Sequence, residues 1–141
     1  MRTIKFKGKT IDGTWIIGDF VRPNVILEDK DTSLSLGKLY LNNSSIVIQD
    51  TVGQFTGMFD EDGREIYEGD IIKIVGELDD ENVYTRNGVV CFVEGIFELQ
   101  DKNGKHFAYL GWLMHDEAIT KLEVIGNIHD DKNLLEKGDN Q

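Results

Sequence analysis

Short runs of β-branched and aromatic residues alternate along the chain with turns that contain glycine, asparagine or aspartate. Near the start, residues 4–7 alternate apolar and basic side chains, and the apolar segment 14–17 follows across the dipeptide Asp12-Gly13. An Asp-Gly dipeptide between two such segments favours a hairpin, because both central residues of a type I′ turn need a positive φ. The pattern therefore predicts a hairpin here and a sheet-rich protein overall.

Further segments have strand-like composition and are too short to be stable without neighbours in a sheet. They are residues 25–27, 38–41, 46–49, 71–75, 88–93, 96–99, 106–110 and 123–128. One helix is predicted at about 115–122, where Asp116 near the start and Lys121 near the end suit the helix dipole. The predicted fold class is mainly β (a β-rich α+β protein), as a curved antiparallel sheet or a partly open SH3-like barrel with one short C-terminal helix.

Two turn segments have nearly the same sequence. Residues 60–66 and 101–107 share an aspartate, a charged residue, Asp or Asn, a glycine and a basic residue before a strand. Gly63 and Gly104 are expected to adopt the left-handed backbone that closes each hairpin. Because the flanking residues differ, the similarity indicates a shared type of turn rather than a duplicated domain.

Length and composition predict how the chain is organised. Its 141 residues suffice for one compact domain, and no linker divides them clearly. We expect residues 1–50 to form N-terminal β segments packed on a core at 51–137, with 138–141 as a frayed tail and 28–37 as a flexible loop. Neither a membrane span nor a signal peptide is expected, because no apolar run approaches about 20 residues. The single cysteine, Cys91, excludes an internal disulfide, which favours a reduced, intracellular setting.

Charge is distributed unevenly. The net charge is −11, with seven basic and five acidic side chains in residues 1–40 but eight basic and 21 acidic ones in 41–141. Residues 60–81 alone hold ten acidic side chains against Arg64 and Lys73. This balance argues against nonspecific binding to nucleic acid or to an anionic membrane. The acidic surface either keeps the protein soluble, meets a basic partner, or imitates the phosphates of DNA.

Histidine and acidic residues provide one candidate metal site. Two His-Asp dipeptides would supply imidazole and carboxylate ligands for a metal-dependent nuclease or hydrolase if the fold brought them together. The four residues are His115, Asp116, His129 and Asp130. Because their convergence depends on the tertiary fold, no metal is assigned and this reaction class is kept as an alternative.

Other motifs resemble known functional sites but lack residues that those sites require. The acidic turn from Asp60 has glycine at its fourth position, whereas an EF-hand loop has glycine at its sixth and glutamate at its twelfth. No Gly-Lys-Ser/Thr follows Gly53 and Gly57, so they do not form a phosphate-binding loop. Cys91 lies in an apolar strand without a cationic neighbour to lower the thiol pKa, so a packing role is predicted. Without a basic groove, the core or a subunit interface is the expected place for the aromatic residues Trp15, Phe20, Phe55, Tyr67 and Tyr109.

Two consecutive glycine-containing motifs form the most specific pattern in the sequence. TVGQFTG at 51–57 is followed by DGREIYEGDII at 62–72, and on these motifs the chain resembles the YopX family of phage and prophage proteins. Shorter similar stretches at 4–19, 88–97 and 123–129 extend the resemblance over nearly the whole chain, whereas 24–50 match poorly. The signature residues, all assigned to structural turns, are Gly53, Gly57, Asp62, Gly63, Glu68, Gly69 and Asp70.

The end of this block has a physical interpretation. Gly69 permits a sharp bend before a strand, and the Asp70 carboxylate can accept bonds from backbone N–H groups. The next hairpin is predicted to turn at Glu94-Gly95. Together these turns predict a curved sheet or partly closed barrel for residues 51–128.

The family resemblance implies a small phage- or prophage-encoded protein of the bacterial cytoplasm that forms a homo-oligomer. It supplies no catalytic residues, because the family has no established activity. We therefore expect a non-enzymatic accessory protein that binds itself and an unknown host or phage protein, with no cofactor and no direct binding of nucleic acid or membrane. The alternatives are the metal-dependent nuclease or hydrolase and an acidic DNA mimic that inhibits a nucleic-acid-binding protein.

Overall fold

The fold is mainly β, as the sequence predicts, and the chain divides into two compact units, Met1–Gly57 and Met58–Gln141. The computed structural model describes residues 1–28 and 43–137. The strands are β1 (Phe6–Lys9), β2 (Trp15–Arg22), β3 (Val25–Leu27), β4 (Ser44–Ile46), β5 (Gly53–Phe59), β6 (Glu65–Tyr67), β7 (Asp70–Asp79), β8 (Asn82–Val93), β9 (Ile96–Gln100), β10 (His106–Tyr109) and β11 (Ile119–Asn127). The helices are a 3-10 turn (Gln49–Thr51), α1 (Leu110–Leu113) and α2 (Leu134–Lys137).

In the first unit, antiparallel strands follow the order β4-β3-β2-β1-β5. Ile26 and Val47 are buried beside Gly8, where a Cβ atom would lie 2.8 Å from Val47 Cγ2. The absence of a side chain at Gly8 therefore allows close packing. The predicted β1–β2 hairpin is confirmed, but its turn is not type I′, because Gly13 has a positive φ and Asp12 does not.

In the second unit, β10-β9-β8-β7-β11 form an antiparallel sheet with apolar clusters on both faces. Successive strand side chains point to opposite faces, so Ile72 and Ile74 join one cluster and Ile71 joins the other. Leu110 of α1 is buried on the Ile74 face, and Leu135 of α2 is buried on the Ile71 face. Each short helix thus covers one face of the sheet.

Some sequence predictions at the level of elements are wrong. No helix forms at 115–122: Asp116 makes a turn to Ile119, and β11 begins there and pairs with β7. The β-branched residues of β11 gain a long ladder of backbone hydrogen bonds, which outweighs the helix-like charge pattern. The strand predicted at 46–49 is instead β4 followed by the 3-10 turn.

Other predictions fall outside the described residues or are resolved by the topology. The strand at 38–41, most of the loop at 28–37 and the tail at 138–141 lie outside the described residues. By compactness the chain divides after Gly57, and the predicted packing of residues 1–50 on a core at 51–137 stays a prediction. Of the two fold alternatives, open antiparallel sheets are observed, with no closed barrel in the described ranges. Within residues 1–28 and 43–137, none of the helices has the length and apolarity that a membrane crossing requires.

Candidate binding pocket

A pocket of about 430 Å³ opens on the Ile74 face of the second unit's sheet. Its lining combines a buried aliphatic side chain, Ile74, with four aromatic rings and two charged groups. The lining residues are Ile74, Tyr84, Arg86, Phe107, Ala108, Tyr109, Trp112, Leu113 and Asp116. The volume falls within the range of pockets that hold a small ligand or a bulky side chain.

Strand register brings the wall of the pocket together. Tyr84 of β8 lies directly opposite Gly76 of β7, and Arg86 lies opposite Ile74. Residues two apart on a strand share a face, so these side chains project to the same side. A Cβ atom on Gly76 would overlap the Tyr84 ring, which therefore lies flat over the glycine. Gly76 is thus a positioning residue for Tyr84.

A second glycine positions Phe107 in the same way. A Cβ atom on Gly88 would lie 2.5 Å from Phe107 Cζ, so that ring covers the glycine. The Arg86 guanidinium lies 3.8 Å from the centre of the Phe107 ring and 3.7 Å from Asp101 Oδ2. Stacking and ion pairing together restrain the guanidinium and balance its charge.

Trp112 belongs to α1 and lines the pocket, and it is 74% exposed. Its ring meets Tyr109 edge-on at 5.1 Å, and Tyr109 in turn contacts the His106 ring at 4.5 Å. His106 Nδ1 pairs with Glu98, whose side chain is buried. The exposed indole is therefore supported by a row of rings that ends on a buried carboxylate.

The other charged group of the pocket is Asp116. Its Oδ1 accepts the Ala118 N–H at 2.9 Å, and its backbone carbonyl accepts the Ile119 N–H at 3.0 Å. These bonds shape the loop that leads from α1 into β11. Asp116 therefore does not lie in the predicted helix, and it is considered as a metal ligand only in the alternative nuclease or hydrolase hypothesis.

The predicted metal ligands do not converge. His115 and Asp116 precede β11, whereas His129 and Asp130 follow it. A nine-residue strand spans roughly 30 Å, which exceeds any coordination shell. Across residues 1–28 and 43–137, no three His, Cys, Asp or Glu side chains are grouped so as to hold a metal.

Cys91 is half-buried at the edge of the Ile71 cluster. Burial raises the pKa of its thiol, and the carboxylates of Glu68 and Glu98 raise it further. A raised pKa keeps the thiol protonated and unreactive, in agreement with the predicted packing role.

The predicted turn residues have clear local roles. Gly57, Gly63, Gly69 and Gly104 all have positive φ, and Gly53 is the buried first residue of β5, opposite Lys7. Gly63, Gly69 and Gly104 lie in turns or bends as predicted, whereas Gly53 and Gly57 lie within β5 rather than in a turn. Asp62 is exposed and Glu68 is half-buried.

The bend at Gly69 links three parts of the second unit. The Gly69 N–H donates to the Val90 carbonyl at 2.8 Å, and the Gly69 carbonyl accepts the Ile128 N–H at 2.8 Å. Asp70 is buried, and its Oδ2 accepts the Tyr67 N–H at 2.8 Å, as predicted. Burial and the hydrogen bond with Glu65 raise the pKa of Tyr67, which keeps its hydroxyl protonated. This signature segment therefore has an architectural role.

Asp60 has a structural role that the sequence did not predict. Its Oδ1 accepts the N–H groups of Asp62 and Arg64, and its Oδ2 accepts the Val124 N–H at 3.0 Å. Burial works to raise the pKa of this carboxyl, but the three backbone hydrogen bonds outweigh it and lower the pKa. Asp60 thus closes its own turn and also accepts a backbone N–H of β11 at the edge of the sheet.

The structure also separates the acidic residues at 60–81. Asp60 and Asp70 are buried and bonded to backbone N–H groups, so neither is part of the acidic surface. Glu77, Asp79 and the turn at 80–81 lie at the opposite end of the ten-residue β7 from Asp70. Asp79 itself accepts N–H bonds within that turn.

Comparison with known proteins identifies the family. A family model described as YopX protein matches residues 6–136. The chain belongs to the YopX family. This YopX-family fold is similar to the crystal structure of protein EF1440 from Enterococcus faecalis, with a TM-score of 0.59 and 22% identity over 96% of this chain and 99% of that one. That likeness shows a shared fold, and no curated protein matches the sequence.

Proposed function

We propose that this YopX-family protein acts by binding a segment of another protein in the pocket on its second unit, without catalysing a reaction. The observation that carries the proposal is Trp112, which is 74% exposed beside a concave, ring-lined pocket. Exposing an indole to water is unfavourable, and tryptophan beside a pocket is typical of residues that dominate protein interfaces.

The polar groups of the pocket suit recognition better than proton transfer. Arginine stays protonated at physiological pH, and Arg86 is restrained by Phe107 and Asp101. Asp116 uses a carboxylate oxygen to hold the Ala118 N–H. Two fixed groups of opposite charge can orient a bound peptide segment through hydrogen bonds.

The pocket walls are preformed, which reduces the entropy that binding must overcome. Tyr84 rests on Gly76 and Phe107 rests on Gly88, so neither ring needs to be ordered by a ligand. A bulky side chain of the partner can therefore insert between rings that already have their bound orientation.

A peptide-display screen tests the proposal. The full-length protein is used to select random dodecapeptides, and affinities of synthetic copies are measured by fluorescence anisotropy. Trp112→Ala is expected to weaken binding by about tenfold or more, since truncating a central aromatic residue of an interface costs about 2 kcal/mol. Phe59→Ala is the matched control, because Phe59 is an exposed aromatic residue of the same unit outside the pocket lining.

Two outcomes would contradict the proposal. One is a screen that selects no peptide above background. The other is a selected peptide whose affinity is unchanged by Trp112→Ala, or falls equally in Phe59→Ala.

Self-association is proposed as a second property, and a different surface supports it. Phe92, Val93 and Ile96 are exposed around the β8–β9 turn, and Phe92 contacts Phe97 at 4.9 Å. A cluster of exposed apolar side chains favours contact between copies. Light scattering at high micromolar concentration should give a defined oligomer that Phe92→Ser converts to monomer, and a monomeric wild-type protein would exclude this property.

The biological setting is proposed from family membership. YopX-like proteins are encoded by phages and prophages, so the bacterial cytoplasm is the proposed compartment and a host or phage protein the proposed partner. A DNA-mimic role remains an alternative, and its test is competition between the protein and DNA for a nucleic-acid-binding enzyme.

A further inference from the structure

Acidic residues border one side of the pocket. The β7–β8 turn at 80–81 ends three residues before Tyr84, and the loop after α1 contains Asp116, which itself lines the pocket. The Glu77 N–H donates to the Ala118 carbonyl at 2.8 Å, which joins that loop to the end of β7. We call the following five residues the acidic edge: Asp79, Asp80, Glu81, Asp116 and Glu117.

The acidic edge has no basic residue within its own segments. Residues 74–85 and 110–120 contain neither lysine nor arginine. The basic residue of the pocket, Arg86, has Asp101 at 3.7 Å and therefore adds little net positive charge. The potential at this side of the pocket is consequently negative, and it attracts cations and repels anionic segments.

From this charge distribution we infer that the partner segment is basic: a bulky apolar side chain enters the pocket, and flanking lysine or arginine residues contact the acidic edge. The inference rests on the proposed peptide-binding function. The pocket contributes the energy of burying the apolar side chain, and the acidic edge increases the association rate and selects the sign of the flanking charges.

Three synthetic dodecapeptides test the inference on the full-length protein. The first has a central tryptophan with lysine and arginine flanks, the second has the same tryptophan with glutamate flanks, and the third has the basic flanks with alanine at the centre. The first should bind about tenfold or more tightly than each of the others, and its affinity should fall between about 50 and 300 mM salt.

A charge-matched pair of variants localises the effect. Glu81→Gln with Glu117→Gln removes two exposed carboxylates of the acidic edge. Glu94→Gln with Glu136→Gln removes two others, one at the far end of β8 and one on α2, which packs on the opposite face of the sheet. The first pair should lower the affinity for the basic peptide about three- to tenfold, and the second pair should leave it within about twofold.

The possible failures are distinguishable. If glutamate-flanked and basic peptides bind equally well and both depend on Trp112, the pocket binds protein but the inference about charge is wrong. If no peptide depends on Trp112, the proposed function itself is wrong. If Trp112→Ala instead dissociates an oligomer of the isolated protein, the occupant is a second copy of this chain, which overturns the inference.

Discussion

At the scale of single residues, Asp60 has a structural role although the sequence around it resembles an exposed surface segment. The acidic run around it suggests solvent exposure, yet Asp60 is 6% exposed and accepts three backbone N–H groups. One of those groups belongs to Val124, 64 residues away in sequence. The equivalent Asp101 closes the matching turn with two such bonds, so sequence could predict the turn but not the third bond.

We predict that Asp60→Asn lowers the free energy of unfolding at pH 7 by about 1–3 kcal/mol, because an amide cannot accept all three N–H groups. The pKa of Asp60 is lowered in the folded state. Its stabilisation is therefore present above the unfolded-state pKa of about 3.9 and is lost as pH falls through the lower folded-state value.

Urea unfolding at a series of pH values measures this effect. The difference between wild type and Asp60→Asn should narrow as pH falls below about 4. Asp62→Asn is the control, because Asp62 is exposed in the same turn, and it should change stability by less than about 0.5 kcal/mol. A constant difference across the pH series would contradict the assigned role.

A second prediction at this scale concerns Gly76. Gly76→Ala should destabilise the protein by about 1–3 kcal/mol, because the new methyl group overlaps the Tyr84 ring. In a Tyr84→Ala background the same change should cost little, since the ring is gone. A double-mutant cycle of unfolding free energies measures the coupling, and additive effects of the two changes would show that Gly76 does not position Tyr84.

At the scale of elements, the β8–β9 hairpin turns on two residues, Glu94 and Gly95, with φ values of 51° and 85°. Two positive values match a type I′ turn, which glutamate fits poorly. Sequence placed this hairpin correctly because Gly95 marks it. The sequence prediction was wrong at 115–122. The local charge pattern suggested a helix there, but part of the segment belongs to β11, which pairs with β7.

We predict that Glu94→Asn stabilises the protein by about 0.5–1 kcal/mol, because asparagine tolerates a positive φ better than glutamate does. Thermal unfolding measures the gain. Glu94→Gln removes the same charge without improving the backbone preference, so it should leave the melting temperature nearly unchanged. Equal gains from both variants would attribute the effect to charge instead.

At the scale of the whole molecule, charge is distributed unevenly between the two units. Met1–Gly57 holds seven basic and six acidic side chains, whereas Met58–Gln141 holds eight basic and 20 acidic ones. The acidic edge and the pocket both belong to the second, strongly acidic unit.

The sequence motifs resemble the family that the family model identifies, and glycine turns and β-branched segments, which are local signals, predicted the sheet-rich fold. The sequence did not predict the pocket. Tyr84, Phe107 and Trp112 come from three elements, and they meet because of strand register and the two glycines beneath the rings. Register is set by pairing across the sheet, which no local pattern in a single sequence specifies.

The most direct test of the binding proposal is an NMR titration of the full-length ¹⁵N-labelled protein with a peptide selected by display. Backbone shifts at Tyr84 and Arg86 and the indole N–H shift of Trp112 should saturate together with one dissociation constant, while the signals of Phe92 and Ile96 stay in place. Shifts centred on the β8–β9 turn, or an unchanged Trp112 indole signal at saturation, would contradict the account.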